Sequence, residues 1–194
     1  MELVTAICAG VGLAAACGFR VFLPLLAAGI AIRSGALNPS PSFAWVGSDP
    51  ALITFGAATA LEIAAYYVPW VDNLLDTIAS PAAVIAGTIA MATTLTDVHP
   101  AARWSLAIIA GGGSAAVVQG GTVLARAFSS AATGGLRNHK VSTLEAGTST
   151  LLSLLAIAVP LLAAALVVLL VVVVVRKLRG RRRPPAASET GSGE

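Results

Sequence analysis

Charged residues make up only 11% of this 194-residue chain, against about 25% in water-soluble domains. Together with a mean hydropathy of +0.87, that excludes a soluble globular fold. Cysteine is almost missing, with Cys8 and Cys17 the two present. On one helix they would lie about 13 Å apart, too far to bridge, so both read as small apolar packing residues. The two histidines, His99 and His139, have no ligand-like neighbours and read as solvated loop residues rather than metal ligands. No P-loop, G-x-S-x-G, H-E-x-x-H or C-x-x-C occurs in the sequence, so neither a cofactor nor an enzymatic activity is expected. Gly10-Val11-Gly12 and Gly111-Gly112-Gly113 follow no soluble strand, and read as packing glycines rather than a dinucleotide loop.

What the chain does have is long apolar runs. From Leu3 to Ile32 the single charge is Arg20, and about 20 apolar residues suffice to cross a bilayer. Gly18, Arg20 and Pro24 predict a helix kinked or broken there, with Arg20 facing protein or water rather than lipid, since a guanidinium at membrane depth needs a partner or a task. A signal peptide fits poorly. Ala14-Ala15-Ala16-Cys17 looks a little like a lipoprotein cleavage site, but no Lys or Arg precedes the apolar run, and the run resumes beyond Arg20.

Further spans are expected at Ala51–Val68, Pro81–Thr96, Leu106–Ser129 and Leu151–Val175, the last enclosing Pro160 and being the plainest membrane helix of the chain. Turn residues between Ser34 and Pro50 predict a loop, and so does Ala132–Ser142 with Arg137, His139 and Lys140. Trp45, Tyr66, Tyr67, Trp70 and Trp104 suit membrane–water boundaries. The net charge of +3 comes largely from Arg176–Arg183, which places the carboxy-terminal end in the cytoplasm of a plasma-membrane protein and does not suggest a nucleic-acid partner. Arg137 and Lys140 then fall on the opposite side, against the positive-inside rule. Pro184–Glu194 lacks apolar content and is expected to be disordered.

Ile7–Ala15 aligns with Ile108–Ala116 at six of nine positions. Ser34–Leu37 aligns in the same order with Thr133–Leu136, and Val68-Pro69 with Val159-Pro160. The expected organisation is therefore two membrane repeats, 1–100 and 101–175, followed by a basic segment and tail, 176–194. If three spans precede the second copy, the two repeats have inverted topology, the plan of many transporters. The fold class is all-α, a polytopic transmembrane helix bundle of about five spans, or six if an interrupted helix forms a hairpin. Five spans make a thin pore wall, so a homodimer in the lipid bilayer is plausible on packing grounds.

Gly18-Phe19-Arg20-x-Phe22-x-Pro24, Leu61-Glu62, Tyr67-x-Pro69-x-x-Asp72, Thr133-Gly134-Gly135-Leu136 and Leu144-Glu145 resemble an uncharacterised prokaryotic membrane family, domain of unknown function 4126, over about residues 3 to 175. The resemblance implies a small multi-pass inner-membrane protein and brings no catalytic or binding residue with it.

The candidate substrate- or ion-binding residues are Arg20, Glu62, Asp72 and Asp76. Arg20 could contact an anion or a carboxylate substrate, or fix the charge of a pore. Alternatively it pairs with Glu62, Asp72 or Asp76 and merely pins the first helices. Glu62 could relay protons or bind a cation. Asp72 and Asp76, four apart on a helix face, form either a solvated acidic face or a cation-collecting mouth. Glu145, beside Ser142 and Thr143, reads as an acid at the start of a helix. The leading functional expectation is a small transporter or channel for an ion or small polar solute. The alternative is a non-catalytic membrane scaffold or partner subunit, and a lipid-modifying enzyme would require a deep pocket with a polar floor.

Overall fold

A computed structural model describes residues 2–65, 69–133 and 138–180, with side chains at 2–65, 78–128 and 142–176. The regular elements among these residues are all helices, with no strand. In chain order the helices are α1 (Glu2–Cys17), α2 (Phe22–Arg33), α3 (Asp49–Ala65), α4 (Pro69–Thr94), α5 (Pro100–Leu106), α6 (Gly113–Thr133), α7 (Asn138–Ala158) and α8 (Pro160–Gly180). A 3₁₀ turn, Pro41–Gly47, lies before α3, and a π-helical turn, Ala107–Gly112, joins α5 to α6.

The small side chains of α1 put it at the centre, where it packs against α4, α6, α7 and α8. A Cβ on Gly12 would stand 2.7 Å from the Ala156 Cβ and 3.0 Å from that of Ala163, so glycine lets the α7–α8 hairpin reach the α1 backbone. Gly87 of α4 performs the same task at a junction of three helices. Its Cβ would meet the Ala115 Cβ at 2.6 Å, the Gly111 carbonyl at 3.1 Å and the Ala14 carbonyl at 3.3 Å. Gly56 of α3 has no such neighbour within 4 Å. Substitution by alanine should therefore have opposite signs at the two sites. Gly87→Ala is expected to destabilise by about 1–3 kcal/mol through overpacking, and Gly56→Ala to stabilise by up to about 1 kcal/mol through helix propensity, as read from thermal unfolding of the purified protein.

Several expected boundaries move. The helix expected from Pro81 starts at Pro69 and runs through Pro81, since an internal proline removes one backbone bond and bends a helix without having to end it. The loop expected over Ala132–Ser142 is mostly helix, because α6 reaches Thr133 and α7 starts at Asn138. Conversely, the Leu151–Val175 run is not one rod. It divides at Val159, and Pro160 opens α8, a position where its missing N–H leaves no bond unmade. His99 is no idle loop residue, since its Nδ1 accepts from the Ala101 N–H and caps α5. His139 and the aromatic residues Tyr66, Tyr67 and Trp70 lie outside the described side chains. Between α2 and α3, Phe43 is buried against the Trp104 ring at 5.9 Å, while Trp45 and Trp104 remain exposed.

By length and composition one described helix suits a membrane crossing, Pro100–Phe128, with 29 residues. The other apolar helices, among them Glu2–Cys17, Phe22–Arg33 and Pro160–Arg176, are shorter. Several ionisable side chains lie inside while large apolar ones lie outside. Arg20, Glu62, Arg126 and Glu145 are buried, while Ile53, Leu61, Ile109 and Leu144 are each at least 70% exposed.

Candidate functional site

The buried charges collect where the first long apolar run is interrupted. The α1 helix closes with the Phe19 and Arg20 N–H groups both donating to the Ala16 carbonyl, at 3.0 and 3.1 Å. The chain then turns at Gly18–Val21 and restarts as α2. Gly18 is required here, since a Cβ would stand 2.6 Å from both the Ala115 carbonyl and the Val118 Cβ of α6. A helix interrupted inside a protein leaves backbone groups to be satisfied at both new ends, and side chains from distant elements do this. Ser149 of α7 donates to the Ala16 carbonyl at 3.0 Å. At the other end Val21 brings no side-chain cap of its own. The Glu62 carboxylate of α3 takes that place, accepting from the Val21 N–H through Oε1 at 3.0 Å and from the Phe22 N–H through Oε2 at 3.3 Å.

Each charge of the interruption also suits the half-helix it faces. Arg20 follows the negative end of α1, and Glu62 sits on the positive end of α2. Arg20 is 1% exposed. Its Nη2 donates to the Ser142 carbonyl of α7 at 2.8 Å and to the Ser142 hydroxyl. Alongside, Arg126 of α6 and Glu145 of α7 form a buried two-pronged pair, with Nε donating to Oε1 at 3.0 Å and Nη2 to Oε2. The positive fields of Arg20 and Arg126 both reach Glu62, and Glu62 in turn acts on the Cys17 thiol of α1. Thr59, one turn before Glu62 on the same face of α3, is buried and its hydroxyl has no hydrogen-bond partner among the described residues.

Two of the four expected site residues, Arg20 and Glu62, thus meet at the interruption. Ser142 hydrogen-bonds Arg20, and the Val21 and Phe22 N–H groups hydrogen-bond Glu62. The side chains of Asp72 and Asp76 lie outside the described residues. Glu145 does not start a helix. It sits inside α7, which begins at Asn138, and engages Arg126. Sequence reasoning missed Arg126, Ser142, Glu145 and Ser149 as members of the cluster. Only Arg126, a lone cation in an apolar run, left a signal of its own there. Among the described residues no three His, Cys, Asp or Glu side chains gather as a metal ion would require.

A family described as domain of unknown function 4126 matches residues 7–180, a range that holds the whole charged cluster. No curated protein and no solved structure matches the chain.

Proposed function

The chain belongs to that family of unknown function, and from this premise we propose a multi-pass membrane protein that carries small anions past a seat at the amino end of α2. The membrane part rests on the inverted polarity. A surface of exposed isoleucine and leucine over four buried ionisable groups suits lipid, whereas it would be an aggregation hazard in water. Short helices meeting end to end, as α1 meets α2, are the elements from which carriers build sites at membrane depth. The aligned segments Ile7–Ala15 and Ile108–Ala116 fall on α1 and on the irregular entry to α6, and Pro69 and Pro160 each open a helix, which favours two related halves. The Arg176–Arg183 run favours a cytoplasmic carboxy-terminal end.

The observation that carries the transport reading is the position of Glu62. Its carboxylate is an anion on a short tether, resting on two N–H groups at a helix amino end beside buried Arg20, and such an end binds anions of many kinds. Protonation would neutralise Glu62 and free both donors. A small anion could then take the seat, held by the same N–H groups, with Arg20 close by and the Thr59 hydroxyl on the same face available to donate. Ionisation of Glu62 would expel it. The seat would thus pass one anion with one proton.

The scaffold reading is favoured by a different observation, that Arg126 and Glu145 satisfy each other and Ser142 engages Arg20. Vesicles decide between them. With the purified protein in phosphatidylcholine vesicles holding a chloride-quenched dye, chloride entry should exceed that of protein-free vesicles and rise as the outside is acidified. Arg20→Gln, which keeps a donor but removes the charge, should slow entry about tenfold, the equivalent of about 1.4 kcal/mol lost from a charge-assisted contact. If folded protein leaves vesicles as tight to chloride and to a monocarboxylate such as lactate as empty ones, transport fails and the scaffold reading stands.

A further inference from the structure

Phe19, next to Arg20 in the interruption, lines two adjoining cavities of about 260 and 200 Å³. Thr148 and Leu170 line both as well, so the two form one groove between α6, α7 and α8. Together they reach the range of about 300–1,000 Å³ usual for small-molecule sites. The groove follows α7 from Leu144 to Leu155, about 16 Å at 1.5 Å per residue. It opens sideways, since Leu144, Leu151 and Leu166 on its rim are exposed.

Its chemistry selects hydrocarbon. The Thr122 and Thr148 hydroxyls donate to carbonyls of their own helices, Gln119 and Leu144, each at 2.8 Å, which leaves methyl groups for an occupant. The Glu145 carboxylate is already engaged by Arg126. At the end marked by Leu144 and Val174 the character changes, because α8 continues into Arg176-Lys177-Leu178-Arg179. Arg176 is exposed there. A long apolar slot that opens sideways and ends at a run of cations complements an anionic amphiphile, with about 1 kcal/mol of attraction expected for each basic residue at a headgroup.

We propose that this groove binds an anionic phospholipid, one acyl chain lying between α6, α7 and α8 against Phe19 and the phosphate at the basic end of α8. The inference rests on the membrane reading but not on anion transport. The occupant would then touch the very turn that carries Arg20 and closes onto the Glu62 seat, so lipid and site share a wall.

Gly121 supplies the test. It lines the groove, and a Cβ there would meet nothing within 4 Å, so a large side chain can enter the slot without disturbing the packing behind it. Full-length protein purified in detergent is mixed with phosphatidylglycerol or phosphatidylcholine and weighed by native mass spectrometry. One phosphatidylglycerol should be retained per chain at least tenfold more readily than phosphatidylcholine. Gly121→Trp should lower that retention at least tenfold with helix content unchanged. Arg176→Gln/Lys177→Gln should abolish the preference for the anionic head while a chain still binds. Equal retention of the two lipids by the native protein overturns the proposal, as does undiminished retention by Gly121→Trp. Should Gly121→Trp fail to fold, the charge variant decides alone, and a preference that survives it is fatal. A chain that stays dispersed without detergent would instead overturn the membrane reading, and the lipid site with it.

Discussion

Arg126→Leu should destabilise the protein by about 3–5 kcal/mol, the cost typical of removing one partner from a buried ion pair. The pair between Arg126 and Glu145 leaves each side chain only 6% exposed. Deleting the guanidinium strands an ionised carboxylate among α6 and α7 with two oxygens unserved. The double variant Arg126→Leu/Glu145→Leu removes both charges together and should regain most of the loss, because well-packed apolar residues commonly replace a buried pair at no cost. The other ion pair with both partners described gives the contrast. Arg33 and Asp49 join α2 to α3 at side-chain exposures of 57% and 69%, and Arg33→Ala should change stability by less than about 1 kcal/mol. Thermal unfolding followed by helix content in one detergent checks all three. Should Arg126→Leu melt like the parent protein, the interior around Glu145 is wetter than the buried pair implies. A double variant no better than the single would mean that Arg126 is needed elsewhere, and its field on Glu62 would be the first place to look.

How far the site could be read in the sequence depended on how much contrast each residue had with its neighbours. Arg20 and Glu62 each interrupt an apolar run, and a charge there is conspicuous because apolar surroundings cannot solvate it. The break at Gly18–Val21 was legible for a similar reason, with a glycine, a charge and a proline within seven residues of one another. Glu145 had no such contrast. Ser142, Thr143 and the Arg137–Lys140 stretch surround it with polar residues, and that composition reads as a loop through what is the first part of α7. A helix beginning that late puts Glu145 at its end, whereas α7 begins at Asn138 and holds Glu145 on an inward face opposite Arg126. Composition also hid the break at Pro160, since an unbroken series of leucine, valine and alanine reads as one rod whatever a single proline does inside it. The partners themselves were out of reach of any local pattern. Ser142 lies 122 positions from Arg20, and Ser149 lies 133 from Ala16, and only the packing of α7 against α1 and α2 brings them together.

Glu62→Gln should remove the acid dependence of chloride entry and raise the rate near neutral pH about tenfold. In the native protein the ionised carboxylate competes for the Val21 and Phe22 N–H groups. Hydrogen bonds to a charged acceptor contribute about 1.5–3 kcal/mol, against about 0.5–1.5 for a neutral one. Glutamine offers one neutral oxygen to the two donors, so its hold on the seat weakens by roughly 1.4 kcal/mol, or about tenfold in occupancy. The sign follows from the proton. On the transport reading acid would neutralise native Glu62 and free the seat, so native entry should rise as pH falls, while the glutamine chain has nothing to titrate there. The charged and titratable groups known to face Glu62 are Arg20 at the interruption, Arg126 on α6 and Cys17 on α1. A purely structural cap predicts something else. Losing a helix cap costs about 1 kcal/mol, which would lower the amount of folded protein without accelerating entry at any pH. Glu62→Asp separates the two cases further, since its carboxylate is one methylene short of reaching both donors. It should open the seat yet keep an acid dependence. Slower entry in both variants across the whole pH range would reduce Glu62 to a cap and withdraw the seat at the end of α2.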